Sequence, residues 1–225
     1  MAAPPLAAVL DALEVHYGPP PVPVVTDPWE LVLFENVVYL ADDERRQRAF
    51  DLLRARIGTS PAALLASEVS ELREVTGMGV RAASQARKLH EAARTALTHF
   101  DGDLSTLASM PLEEARRALR RFPAIGEPGA DRILLQAGLH VVPALESNGL
   151  RALVRLGLVS EAAGYAVTHA RAVEVIGDAL PSDRAQLLRA FGLLRTHGRG
   201  LCRRSSPACV ECPLMNHCAY ARRTA

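Results

Sequence analysis

The segment CRRSSPACVECPLMNHC, residues 202–218, contains every cysteine of this chain. Its four cysteines follow the spacing C-x6-C-x2-C-x5-C. Four thiols this close in sequence must come together when the segment folds, and in a reducing compartment thiolates ligate soft metals. The segment is therefore predicted to be a metal site with Cys202, Cys209, Cys212 and Cys218 as its ligands.

The same spacing favours a [4Fe-4S] cluster as the occupant. Structural zinc sites more often have two C-x2-C pairs separated by a longer loop. Here only Cys209 and Cys212 form such a pair. A zinc ion and two disulfides remain the alternatives.

Length and composition limit the class of protein. The chain has 225 residues, enough for one large domain or two small ones, and 49% of them are hydrophobic. No apolar run reaches the roughly 18 residues of a membrane span, and no basic stretch precedes an apolar one at the N-terminus. We expect a protein without a membrane partner that resides in the cytoplasm, and at the nucleoid if it is bacterial.

Lysine is almost absent from the chain. Of its 26 basic side chains only Lys88 is a lysine, and the formal net charge is +1. A mechanism that needs a lysine amine must therefore use Lys88 or nothing, apart from the N-terminal amine. Arginine clusters lie within 45–48, 117–121 and 199–204. They either bind the phosphates of a nucleic acid backbone or form solvent-exposed helix faces.

Hydrophobic periodicity predicts helices almost throughout, and no stretch alternates convincingly as a strand. A short helix within 4–16 leads into GPPPVP at 18–23, an extended connector. Asp27 as N-cap and Pro28 at the first helical position then begin a buried helix that continues to Leu40. We expect an all-α protein. Further helices are predicted over 43–57, 60–66, 68–75, 80–99, 112–121, 129–138, 147–156, 159–174 and 181–195.

Residues 116–138, RRALRRFPAIGEPGADRILLQAG, place a tight turn between two predicted helices. The small residues Ala124, Gly126 and Gly129 would let backbone amides approach a phosphate, and the following helix N-terminus adds partial positive charge. Taken alone, the turn also fits an ordinary helix connection. Together with the cysteine segment it favours a helix-hairpin-helix that binds DNA without reading its sequence.

These segments resemble the endonuclease III branch of the helix-hairpin-helix DNA glycosylases over nearly the full chain. That family carries a C-terminal [4Fe-4S] cluster with the same cysteine spacing. Its hairpin of the form LPGVGRKTA is matched by FPAIGEPGA at 122–130, and its segment VDTHVxR by LESNGLR at 145–151.

The resemblance implies two helical domains. A helical barrel domain at 28–138 contains the helix-hairpin-helix at 116–138, and an iron-sulfur cluster domain is built from 1–27 and 139–225. It also implies a monomer that binds double-stranded DNA and flips a damaged or mispaired base out of the stack.

The roles implied by the resemblance fall on altered residues. Pro128 replaces the hairpin lysine that attacks the sugar, so we expect no efficient lyase activity. Glu146 replaces an aspartate that stabilises positive charge on the sugar, with helix capping as the alternative. Glu35 in LFENVVYL matches a glutamate that protonates the base in the related adenine glycosylases. The alternatives are a buried Glu35 that pairs with an arginine or caps a loop, and a Glu35 that faces solvent.

Four further residues resemble DNA-contacting positions of the family. Leu40 matches a glutamine that fills the gap left by the flipped base, with core packing as its alternative. Met78 matches a leucine inserted opposite that gap. Arg203 and Arg204 match a basic loop that contacts phosphates.

We therefore predict a monofunctional DNA glycosylase of base excision repair, with Glu35 as acid and Glu146 as charge stabiliser, and without efficient AP lyase activity. The competing prediction is a catalytically weak or inactive protein of the same fold that binds damaged DNA. It arises because the hairpin lysine, the aspartate and the first hairpin glycine are all replaced.

Overall fold

A computed structural model describes residues 4–224, which form twelve α-helices and three short 3-10 helices. The all-α prediction is confirmed, because across this range strand-like pairing is limited to an isolated antiparallel bridge between Tyr39 and Val80. None of the described helices is long and apolar enough to cross a membrane. The α-helices are α1 Leu6–Tyr17, α2 Pro28–Asn36, α3 Asp43–Arg56, α4 Pro61–Ala66, α5 Val69–Thr76, α6 Ala82–Phe100, α7 Leu112–Leu119, α8 Glu127–Ala137, α9 Ser147–Leu156, α10 Tyr165–Ala179, α11 Arg184–Arg199 and α12 Ala221–Thr224.

The chain divides into two compact units. The hairpin unit consists of Val24–His140. The cysteine unit combines the described residues of 1–23 with those of 141–225. The second unit is thus built from both ends of the chain.

The longest helix, α6, is the centre of the hairpin unit. It packs against α2, α4 and α5. Its inward face is made mostly of alanines at helical spacing, which allow neighbouring helices to approach closely. The fully buried residues on this face are Ala86, Leu89, Ala92, Ala93 and Ala96.

Helix α2 ends at Asn36, four residues before the predicted end at Leu40. The fully buried Asn36 amide donates to the carbonyls of Val32 at 3.0 Å and Pro123 at 2.9 Å. The main-chain carbonyl of Asn36 accepts a hydrogen bond from Gln85 Nε2 at 3.0 Å. Leu40 then takes a left-handed backbone with φ 52°. The helix stops because side chains, rather than a further helical turn, satisfy the polar groups at its end.

The core of the cysteine unit is the pair α9 and α11, with α1 packed on α11. The predicted extended connector at 18–23 is confirmed as non-helical, and it lies against α11. A Cβ placed on Gly192 would be only 2.6 Å from Pro20 Cβ, so the connector requires glycine there. Helix α10 begins at Tyr165 instead of the predicted residue 159, because Gly164 is its N-cap.

Candidate active site and cysteine cavity

The four cysteines line one cavity in the cysteine unit. The cavity volume is small, about 20 Å³. The side chains of Arg155, His197, Met215 and Tyr220 also line it. All four cysteines are free, so the structure has no disulfide among them.

Four free thiols are donors that suit a soft metal ion or an iron-sulfur cluster. Among the described residues, no group of three or more His, Cys, Asp or Glu side chains is arranged to hold one metal ion. A tetrahedral zinc site needs its four ligands around one centre, whereas a [4Fe-4S] cluster is held by four thiolates distributed around the cluster. Burial raises the pKa of the Cys212 thiol, and the other three thiols raise it further. A bound cationic centre would offset both effects.

Arg155 of α9 holds the first part of the cysteine segment. Its guanidinium donates to the carbonyls of Arg203 at 2.6 Å and Arg204 at 3.1 Å. It also donates to the Cys202 carbonyl at 3.4 Å and lies 4.5 Å over the ring of Tyr220. The backbone of the loop is therefore fixed, while the side chains of Arg203 and Arg204 are exposed.

Glu146 lies at the N-cap position of α9, and its side chain is 27% exposed. One carboxylate oxygen accepts a hydrogen bond from Asn148 Nδ2 at 2.8 Å. The other lies 3.4 Å from Arg195 Nε. Its side chain makes no capping hydrogen bond to α9.

A chain of hydrogen bonds runs from Glu146 to the first cysteine. Asn148 Oδ1 accepts from Arg151 Nη2 at 2.8 Å. Arg151 donates in turn to the carbonyls of Cys202 at 3.0 Å and Gly198 at 2.6 Å. Sequence reasoning assigned no role to Asn148 or Arg151, although their i, i+3 spacing places them on one face of α9.

Glu35 of α2 forms an ion pair with Arg132 of α8. The two side chains are 21% and 16% exposed respectively. This geometry agrees with the alternative of an arginine-paired Glu35, while the role of Glu35 as a proton donor stays a prediction. Arg132 was not predicted from the sequence. The pattern that could have indicated it is a charged residue directly before the apolar run Ile133–Leu135.

The predicted hairpin turn connects α7 to α8. Ala124 takes the left-handed backbone with φ 59°, and Gly126 is the N-cap of α8. Exposed Glu127 and half-buried Pro128 begin that helix, and Gly129 follows in its first turn. Proline has no N–H, so the helix N-terminus offers one amide fewer to an anion.

Two loops of the hairpin unit carry the predicted wedge residues. Leu40 is 74% exposed, so core packing does not explain it, whereas Met78 is half-buried. Val80, which sequence reasoning missed, is 50% exposed. Its amide donates to the Tyr39 carbonyl at 3.0 Å, and a Cβ on Gly79 would lie 2.7 Å from that same oxygen. The two loops are thus joined, and Leu40 and Val80 both face solvent.

The chain is similar in sequence and in structure to known DNA glycosylases. No protein-family model matches the chain. It is 24% identical over 197 residues to a thymine-DNA glycosylase of Aeropyrum pernix, covering 86% of this chain and 83% of that protein. Its structure matches that of a trapped covalent intermediate of endonuclease III with DNA, with a TM-score of 0.77 and 17% identity over 97% of this chain and 96% of the other. The chain has the endonuclease III fold.

A thermostable thymine-DNA glycosylase shares the endonuclease III fold with this chain, at a TM-score of 0.75 and 18% identity, covering 97% of this chain and 95% of the other. The predicted resemblance is confirmed. On this endonuclease III fold the present chain carries Pro128 in its hairpin, and its single lysine, Lys88, is on α6.

Proposed function

We propose that this protein is a monofunctional DNA glycosylase of base excision repair, which releases a damaged or mispaired base and leaves the DNA strand uncut. The observation that carries the proposal is the placement of Glu146. Asn148 and Arg195 hold its carboxylate at the start of α9, in a fold shared with a thymine-DNA glycosylase. A fixed carboxylate stabilises the positive charge that develops on the sugar as the base departs.

The residues of the hairpin support base release without strand cleavage. A glycosylase that also cuts the strand uses an amine to attack C1′ and form a Schiff base. Pro128 supplies no amine, and Lys88 lies on another helix, α6. Water is then the nucleophile that completes the reaction.

Cys202, Cys209, Cys212 and Cys218 are proposed to hold a [4Fe-4S] cluster. When bound, the cluster cross-links the cysteine segment through four metal–thiolate bonds. Arg155 fixes the backbone beneath Arg203 and Arg204, which reduces the entropy lost when these two side chains bind phosphates.

The proposed ligand is double-stranded DNA, bound by a monomer in the cytoplasm. The hairpin residues Ala124, Gly126 and Gly129 would receive a phosphate. Leu40 and Met78, from two loops joined by the Tyr39–Val80 bridge, would occupy the space left by the flipped base.

Single-turnover base release from duplexes with defined lesions and mispairs tests the proposal. Because the relative from Aeropyrum pernix is a thymine-DNA glycosylase, thymine opposite guanine is the first substrate to test. We expect Glu146→Gln to abolish base release without weakening binding, because it removes only the charge. Glu161→Gln, an exposed residue of the same unit, is the matched control. Tight binding to damaged duplexes without release of any base would favour the DNA-binding alternative instead.

A further inference from the structure

We propose that Arg132 determines which bases the site releases. By pairing with Glu35 it keeps that carboxyl group ionised, so the site acts on bases that depart without being protonated first, namely 2,4-dioxopyrimidines such as uracil and thymine. This inference rests on the proposed glycosylase function and replaces the predicted acid role of Glu35.

The ion pair is part of the packed structure. Glu35 and Arg132 are on α2 and α8, two helices that contact each other directly. The residues flanking Arg132 on α8, Asp131 and Ile133, are both buried. Asp131 itself pairs with Arg116 at 2.6 Å, which further fixes α8. A partly buried pair held by two packed helices keeps its geometry better than a pair of flexible surface side chains.

The polar contacts to Glu35 come from two cations. Arg132 pairs with the carboxylate, and Arg46 of α3 donates to the main-chain carbonyls of Phe34 at 2.9 Å and Glu35 at 3.2 Å. On the side of α6, the neutral Gln85 donates to the carbonyl of Asn36. A nearby positive charge favours the ionised form of a carboxyl group. Glu35 is therefore held as a carboxylate near neutral pH and has no proton to donate to a base.

The leaving group must then tolerate a negative charge. When the C1′–N1 bond of a dioxopyrimidine breaks, its electron pair stays on the base, and the charge spreads over N1 and the two carbonyl oxygens. Water adds to C1′, and its proton passes to a carboxylate such as Glu35 and from there to solvent or the departed base. A guanidinium offers several N–H donors that suit such oxygens.

Two other classes of base fit this site less well. Neutral adenine departs only after it has taken up a proton, which an ionised Glu35 does not supply. Alkylated purines already carry a positive charge and leave without an acid, and Arg46, which binds the main-chain carbonyls of Phe34 and Glu35, opposes the approach of a further cation.

A substrate panel gives the first test. Single-turnover reactions would contain uracil or thymine opposite guanine, adenine opposite 8-oxoguanine, and methylated DNA. We expect the unaltered protein to release only the two pyrimidines. In the Arg132→Met variant the ratio of the uracil release rate to the adenine release rate should fall at least about tenfold. Faster release of adenine or of methylated purines by the unaltered protein would overturn the inference. Failure to release any base would defeat the proposed function, and the next measurement then decides the role of Arg132.

The ionisation of Glu35 can be measured directly by NMR of protein labelled with ¹³C at the glutamate carboxyl carbons, with Glu35→Gln to assign the signal. We expect no titration of Glu35 between about pH 8 and about pH 5, because an ion-paired glutamate titrates below its usual value of about 4.3. In Arg132→Met the pKa should rise into this range, whereas Arg132→Lys should restore the original behaviour. Arg48→Met is the control, since Arg48 lies on the same helix as Arg46 but is exposed and pairs with Glu44. A Glu35 that is already protonated at about pH 6 in the unaltered protein, or that does not respond to Arg132→Met, would refute the inference.

Discussion

Gly198 of α11 lies directly against the main chain of Asn148 in α9. A Cβ placed on Gly198 would be 2.2 Å from the Asn148 carbonyl oxygen, far inside van der Waals contact. Asn148 is also the residue that binds Glu146, and Arg151 links it to the Gly198 and Cys202 carbonyls. The absence of one side chain therefore allows the candidate carboxylate and the cysteine segment to share a hydrogen-bonded network.

Replacement of Gly198 by alanine should destabilise the protein. Because the clash is with main chain, which cannot rotate away, the free energy of unfolding should fall by about 2 kcal/mol or more. Gly177→Ala is the matched control, since its Cβ would lie at an ordinary 3.6 Å from Pro143. Urea unfolding of both variants measures the difference. Equal midpoints for the two variants would show that α9 and α11 pack less closely than in this structure.

Ala124→Gly should stabilise the hairpin unit. A left-handed backbone destabilises a non-glycine residue by about 1–2 kcal/mol, and glycine relieves this strain. Glycine also has more conformational freedom in the unfolded chain, which offsets about 0.4–1 kcal/mol of the gain. The net gain should lie between about 0 and about 1.6 kcal/mol in the free energy of unfolding. Thermal unfolding checks it, and a clear loss of stability would mean that Ala124 is not held at φ 59°.

Removal of both loop arginines should weaken binding to any duplex. Arg203→Ala with Arg204→Ala should lower the magnitude of the slope of log affinity against log salt by about 2, because each of the two arginines neutralises one phosphate. Arg222→Ala with Arg223→Ala removes the same charge from exposed residues of α12 and should leave the slope unchanged. Titrations of labelled duplex at several salt concentrations measure this. An unchanged slope in the first variant would place the phosphate-binding residues elsewhere.

The purified protein should contain iron. A [4Fe-4S] cluster corresponds to about four iron atoms per chain and a brown colour. Cys212→Ala should lose most of this iron, whereas Ser205→Ala, in the same segment, should retain it. Iron and zinc analysis together with the visible absorption spectrum decide the question. Stoichiometric zinc without iron would establish the alternative metal site.

The helices could be predicted well because each depends on its own sequence. Helix α9 has the same limits, residues 147–156, in the prediction and in the structure. The end of α2 could not be predicted, because it depends on two hydrogen bonds to residues that are distant in sequence. Asn36 donates to the Pro123 carbonyl, and Gln85 donates to the Asn36 carbonyl.

The candidate site residues of the two units could be predicted only in part. Motif matching selected Glu35 and Glu146, but the arginine partner of Glu35 lies 97 residues further along the chain, at position 132. No local pattern specifies such a pair. Asn148 and Arg151, by contrast, lie within the matched segment at 145–151, and helical spacing alone could have grouped them.

Base release without strand cleavage can be measured on the product duplex itself. The protein first releases a base from duplex DNA in a single-turnover reaction. The product is then divided into two halves, and one half is heated with alkali, which breaks the strand at abasic sites. We expect strand breaks only in the alkali-treated half, and no covalent adduct when borohydride is added, because Pro128 leaves the hairpin without an amine. Strand breaks without alkali, together with a borohydride-trapped adduct that disappears in Lys88→Ala, would contradict this expectation.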